Sequence, residues 1–160
     1  METTSKMKKT LTFGLFLLLN FGALAIGSLL MGSSPVANEW YVELKKAPWT
    51  PPGWVFGAAW TSIMLLFTVY LTLQQQAKLT DKRFIFLFSL QFLTNVLWNP
   101  LFFYFHWTFL GMLIIFLLFI SLVLMLFYFK PNGWKSILLL PYLVWLTIAF
   151  SLNAYAWWMN

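Results

Sequence analysis

The chain contains no cysteine, which excludes disulfides, thiolate metal sites and cysteine nucleophiles, and leaves the redox compartment unmarked. Charge is almost as scarce. Only 9% of the 160 residues are Asp, Glu, Lys or Arg, against roughly 25% in an ordinary soluble domain, so the chain cannot cover a soluble surface. There is one histidine, His106, and no P-loop, serine triad or cluster of metal-ligating residues, which argues against hydrolytic or metal-assisted catalysis. His106 reads as an exposed loop residue, since no second axial ligand for a haem accompanies it. The long apolar stretches contain no Asp, Glu, Lys or Arg, so proton relays and charge-coupled transport have no visible machinery. No internal repeat supports a transporter built from two halves.

What is present is hydrophobic: 61% of the residues, gathered into blocks. A helix needs about 20 mainly apolar residues to cross a bilayer. Five stretches qualify: Thr10 to Met31, Pro52 to Leu73, Phe84 to Phe105, Trp107 to Phe129 and Trp134 to Trp157. The fold class is therefore an all-α integral membrane protein, a five-transmembrane-helix bundle forming a single membrane domain over residues 1–160, with a long first loop that contains a short helix. The first stretch follows Lys6, Lys8 and Lys9 and precedes Ser34-Pro35-Val36-Ala37, a faint signal-peptidase pattern. Its apolar run exceeds the roughly 7–15 residues of a signal h-region, so we read it as a retained span. A tight hairpin around Tyr104 to Thr108 must separate the third and fourth spans, and the short later loops predict sequential helices as antiparallel neighbours.

The net charge of +6 does not form a basic face, which argues against nucleic acid. Lys6, Lys8, Lys9, Lys78, Lys82, Arg83, Lys130 and Lys135 fall on one side of the predicted topology, and Lys45 and Lys46 on the other. The positive-inside rule then puts the N-terminus in the cytoplasm and the C-terminus outside, for a bacterial-type cell membrane. In the first loop, Asn38 to Lys46 reads as a short amphipathic helix. Asn38 caps it, Trp40, Tyr41 and Leu44 form its apolar side, and Glu39, Glu43, Lys45 and Lys46 face water. Such a helix can be a lid over a membrane cavity or can lie on the headgroups. Pro48 ends this helix, and Pro51 and Pro52 stiffen the entry to the second span. Trp49 and Trp54 fit an interfacial aromatic belt.

Trp60 lies two turns into the second span, and a buried indole N–H needs a partner. The third span offers Asn95 and Asn99, four apart on one face, with Gln91 one turn before and Phe102 one turn after. Amides in hydrocarbon must be paired, so this face points inward, either as glue between helices or as polar points in a cavity. The fifth span repeats the pattern with Trp145, Ala149 and Asn153, and Pro141 one turn earlier is expected to kink the helix and open the outer half of the bundle. Together these faces describe an aromatic box with a few amides, suited to a flat, largely apolar ligand. Gly111 and, in the first span, Gly14, Gly22, Ala23 and Gly27 permit close helix approach, within one bundle or between two.

The segments WYVELKKAPWTPPGWVFGAAW, NVLWNPLFF and PYLVWLTIAFSLNAYAWW resemble the first-loop and second-helix, third-helix and fifth-helix motifs of the tryptophan-rich sensory protein (TspO/MBR) family, whose animal members are the translocator or peripheral benzodiazepine receptor proteins. The resemblance covers nearly the whole chain. It implies a five-helix bundle, often a homodimer, whose first loop closes over a pocket. The ligands it implies are porphyrins such as protoporphyrin IX, haem-like tetrapyrroles, sterols in some members, and isoquinoline carboxamide or benzodiazepine drugs. No cofactor is implied beyond a porphyrin as ligand. Carried over by position, Trp60, Asn95, Asn99, Phe102, Trp145 and Ala149 line the pocket, and Tyr41 and Pro51 border it from the loop. Some bacterial members degrade protoporphyrin IX in light, a reaction in which the tryptophans matching Trp60 and Trp145 are implicated. The expected function is a porphyrin-binding sensor, with a light-dependent porphyrin-degrading enzyme or a transporter of small apolar molecules as alternatives. One departure stands out: Tyr155 is followed by Ala156-Trp157-Trp158-Met159-Asn160 without the basic residue that ends the animal sterol pattern.

Overall fold

The computed structural model describes residues 2–74, 79–130 and 133–160. It contains five helices long and apolar enough to cross a membrane and, among the described residues, no strand. The elements are α1 (Glu2–Leu30), α2 (Glu39–Glu43), α3 (Gly53–Gln74), α4 (Lys82–Asn99) continued by a π-helical turn (Pro100–Tyr104), α5 (Thr108–Tyr128), α6 (Gly133–Ile137) and α7 (Leu140–Met159). The expected spans all appear. Lys78, counted above in the charge distribution, lies outside the described residues.

Helix packing sets the order of the bundle. α1 packs on α3 and α4, α5 packs on α4 and α7, and α3 touches α7 lightly, which closes a ring. The second and third spans are thus not the neighbours that their short connection predicts, because α1 lies between α3 and α4. Side chains explain the insertion. Asn20 of α1 donates to Thr68 Oγ1 of α3 at 2.9 Å, buried, and a Cβ on Gly27 would come within 2.6 Å of the Asn99 amide on α4. One face of α1 carries a polar group that needs α3, and another is small enough to admit α4.

Proline shapes both helices that line the interior. Pro100 has no N–H, and the chain passes into the π turn there, with Phe105 N–H bonding to the Pro100 carbonyl at 2.9 Å. The predicted hairpin follows: His106 takes φ +60°, and Trp107 N–H returns to the Leu101 carbonyl at 2.9 Å. Pro141 likewise cannot donate to the carbonyl of Ile137, where α6 ends. Tighter three-residue bonds, Leu138 to Lys135 and Leu139 to Ser136, bridge the break before α7. The break lies at the end of the bundle away from the first loop, and it opens no space: Leu139 is fully buried and Tyr142 nearly so. The interruption expected at Pro141 is thus present, and the residues beside it are packed.

The two ends of the bundle differ in packing. Away from the first loop, Phe16, Met64, Phe67, Leu71, Leu118, Leu122, Met125, Leu139 and Leu146 form a closed core. Along the interior, from the first turn of α7 toward the first loop, polar contacts join α4 and α7 across α5. Gln91 and Asn95 donate to the Tyr142 hydroxyl at 3.1 and 2.6 Å, and Trp98 Nε1 donates to Asn153 Oδ1 at 3.2 Å. Gly111 of α5 makes the second contact sterically feasible, since a Cβ there would lie 3.1 Å from Phe102 and 3.2 Å from Asn153 Oδ1. Gly14 faces open space.

These environments predict opposite responses. Gly111→Val should lower the unfolding free energy by about 1–3 kcal/mol, the usual cost of overpacking, while Gly14→Val should change it by less than about 0.5 kcal/mol. Denaturation in mixed micelles measures both, and equal effects at the two positions would contradict the packing described.

Candidate functional site

The first loop folds over the open end of the bundle because its polar and aromatic side chains find partners there. Asn38 takes an extended conformation at the N-terminus of α2, and its Oδ1 accepts from Tyr41 N–H at 3.0 Å, an N-cap bond. Its amide nitrogen donates to the Phe103 carbonyl at 2.9 Å, one of the helix-terminal carbonyls that lack an intrahelical donor. Trp40 stacks on His106 at 4.2 Å and meets Phe102 edge-on at 5.4 Å. Farther along, Asn160 brackets the backbone of Lys45, accepting from its N–H at 3.0 Å and donating to its carbonyl at 3.3 Å. Trp49 Nε1 donates to Ser151 Oγ at 3.1 Å. The loop is thus fastened to the π turn, to the α4–α5 hairpin and to the end of α7. This is the geometry of a lid rather than of a helix lying free on headgroups.

The loop helix is shorter than the sequence indicates, ending at Glu43 instead of Lys46 and well before Pro48. Leu44 adopts φ −58°, ψ 135°, and in this extended segment Leu44 and Ala47 turn inward. Lys46 is exposed, as expected, and its side chain also reaches the rim of the space beneath the loop, its Nζ 4.5 Å from the centroid of the Tyr41 ring. Burial pushes the Tyr41 phenol pKa up, so this ring stays neutral.

Beneath the lid are two adjoining spaces. The outer is a cavity of 610 Å³ bordered by Tyr41, Lys46, Pro51, Trp60, Trp98 and Asn99 among others, a volume in the range of small-molecule sites. The inner is a narrow cleft of 40 Å³ reached by Trp60, Trp98, Phe102, Trp145, Ala149 and Asn153. Tyr41, Lys46, Trp60 and Trp98 border both. A third space, of 230 Å³, opens between α1 and α3, where Asn95 and Asn99 join Ser28, Thr61 and Trp60.

The expected site residues therefore divide. Tyr41 and Trp60 face both the outer cavity and the cleft, Phe102, Trp145 and Ala149 the cleft, and Pro51 and Asn99 the outer cavity. Asn95 borders the third space and neither of the other two, and its amide is engaged by Tyr142. Neither Asn95 nor Asn99 bonds the Trp60 indole; the indole–amide pair joins Trp98 and Asn153 instead. Trp98 and Tyr142 were not singled out in the sequence, although stripes reveal them: Gln91, Asn95, Trp98 and Phe102 follow heptad-like spacing on α4, and Tyr142, Trp145, Ala149 and Asn153 do so on α7. The Trp145 Nε1 is buried without a hydrogen-bond partner, although the side chain is only 7% exposed. His106 is exposed and engaged with Trp40, and no metal-binding cluster of His, Asp or Glu occurs among the described residues.

The sequence profile of the TspO/MBR family matches residues 13–159. Among individual relatives, the chain is 32% identical to the protein named CrtK of Rhodobacter capsulatus over 130 residues, 77% of this chain and 79% of that protein. It is 34% identical to a tryptophan-rich sensory protein of Cereibacter sphaeroides over 125 residues, 77% and 78% of the two chains. It is 29% identical to the human translocator protein over 137 residues, 79% and 80%.

The latch contacts can be tested directly. Asn38→Ala removes both the cap and the bond to Phe103, together worth about 1–2 kcal/mol, so amide exchange across residues 39–46 should accelerate roughly five- to thirtyfold. Hydrogen exchange read by mass spectrometry measures this, and unchanged protection would mean that the lid is held by other contacts.

Proposed function

The chain belongs to the TspO/MBR family, and on that premise we propose that it is a membrane-embedded binding protein and sensor for porphyrins, protoporphyrin IX and haem-like tetrapyrroles among them, and for similar flat apolar ligands. The observation that carries this reading is the lidded aromatic cavity. Its walls are indoles and phenyl rings, which offer broad faces to a planar ligand, with few polar groups to orient it. The relatives named sensory and translocator proteins are consistent with a small-molecule role.

The size of the inner cleft bears on mechanism. A space of 40 Å³ holds only a few waters, so a macrocycle reaching Trp145 must displace the lid and part the side chains around Ala149. Ligand binding then biases a lid equilibrium, and a sensor requires such a coupling. The second reading, a light-dependent porphyrin-degrading enzyme, draws support from Trp60 and Trp145 both bordering that cleft. In this reading they would be the reacting residues. The same proposal takes the protein to be a multi-pass protein of a bacterial cell membrane with the lid face outward, on the strength of the basic residues. It also takes the protein to be a homodimer, with Gly14 and Gly22, which face open space, available to a second copy.

The test is a dark titration of the detergent-solubilised protein with protoporphyrin IX, following tryptophan quenching. Each aromatic contact is worth about 0.5–1.5 kcal/mol, so the Trp60→Phe, Trp145→Phe double variant should bind roughly tenfold more weakly than wild type. Absence of saturable binding to wild type would remove the porphyrin reading. Under light, product accumulating beyond one equivalent with intact tryptophans would favour the enzyme over the sensor.

A further inference from the structure

The lining of the cavity has a polarity that the aromatic reading does not use. Of all the residues bordering the outer cavity and the inner cleft, Lys46 alone is charged. It makes no ion pair with any described residue. Its Nζ is held 4.5 Å from the centroid of Tyr41, a cation–π contact that keeps the ammonium over the cavity mouth. Lys46 is exposed, as is its neighbour Lys45, whose backbone bonds to Asn160 and so fixes the segment carrying Lys46.

The uncharged polar groups point the same way. Asn153 spends its Oδ1 on Trp98 and its Nδ2 on the Ala149 carbonyl. The Thr50 hydroxyl donates to the Ala47 carbonyl. What remains on offer deep in the cleft is a donor, the buried and unpartnered N–H of Trp145. An ammonium at the mouth and an unsatisfied N–H at depth, with no carboxylate in either lining, form a site for a ligand that brings acceptors and negative charge.

We infer that the cavity selects flat apolar anions, with Lys46 as the specificity-determining residue that pairs with a ligand carboxylate at the lid. The inference rests on the proposed aromatic site but names the class of molecule it takes. Neutral planar ligands fit the walls equally well and lose the charge-assisted bond, which is about twice as strong as a neutral one. Lys46→Arg keeps a cation at the mouth, whereas Lys46→Gln keeps the approximate length and loses the charge.

Two ligand pairs separate the inference from the reading beneath it: protoporphyrin IX with its dimethyl ester, and 1-pyrenebutyrate with its methyl ester. Each is titrated in the dark against detergent-solubilised wild type, Lys46→Gln, Lys46→Arg and the control Lys45→Gln, a residue that borders neither space. Wild type, Lys46→Arg and Lys45→Gln should prefer each acid over its ester by about tenfold, and Lys46→Gln should lose that preference through weaker acid binding with ester binding unchanged. A Lys46-dependent preference for pyrenebutyrate, without porphyrin binding, would support the anion selectivity while removing the tetrapyrrole. Equal binding of acid and ester by wild type, an unchanged ratio in Lys46→Gln, or no saturable binding of either pair would overturn the inference.

Discussion

The Tyr142 hydroxyl, accepting from Gln91 and Asn95, is the contact on which the interior depends. In hydrocarbon an amide without a partner costs several kcal/mol, so α4 can cross the bilayer with two amides on one face only if another helix supplies an acceptor at that depth. α7 does so from across the bundle, although α5 separates the two helices in the ring. The same ring receives Trp60 edge-on at 5.8 Å and Phe67 at 5.5 Å, both from α3. One side chain thus ties α3, α4 and α7 together within the closed core.

The open end follows from that constraint. α4 and α7 must also meet nearer the lid, where Trp98 pairs with Asn153, and α5 permits it by carrying only Gly111 at the crossing. Large aromatic side chains pointed inward beside a helix reduced to a glycine cannot interdigitate as the leucines and methionines of the other half do. Gaps remain between rigid rings, and the first loop covers them. The cavity is what the polar pairing and the aromatic content leave unfilled, and the latch bonds of Asn38, Lys45 and Trp49 close it.

Much of this is legible in the sequence, and the limits are physical. The spans show because a bilayer demands about 20 apolar residues, and the inward faces of α4 and α7 show because amides and indoles recur at helical spacing. Asn38 is recognisable as a cap from its type and place. The ring order is not legible: loop length favours adjacency of the second and third spans, but the Asn20–Thr68 bond and the small Gly27 draw α1 between them. Which amide meets which ring is equally hidden. Periodicity shows that Asn95 and Trp98 face inward, yet only the axial offset between α4 and α7 decides that Asn95 reaches a phenol and Asn153 an indole.

The closed lid has consequences for any ligand. The latch hydrogen bonds each contribute about 0.5–1.5 kcal/mol net, so together they hold the loop down by a few kcal/mol and leave the open form a minor population. Against this, the unpartnered Trp145 N–H costs the closed, empty state about 1–3 kcal/mol. A molecule that reaches the cleft and accepts from that N–H removes this cost, but it gains nothing unless the gain exceeds the latch energy it disrupts. Apolar surface alone, distributed over both spaces, does not require the lid to move, because the outer cavity of 610 Å³ can receive it. A ligand with an acceptor placed for Trp145 would add the relief of that cost to its aromatic contacts in the inner cleft, and would so couple occupancy more strongly to the position of the lid.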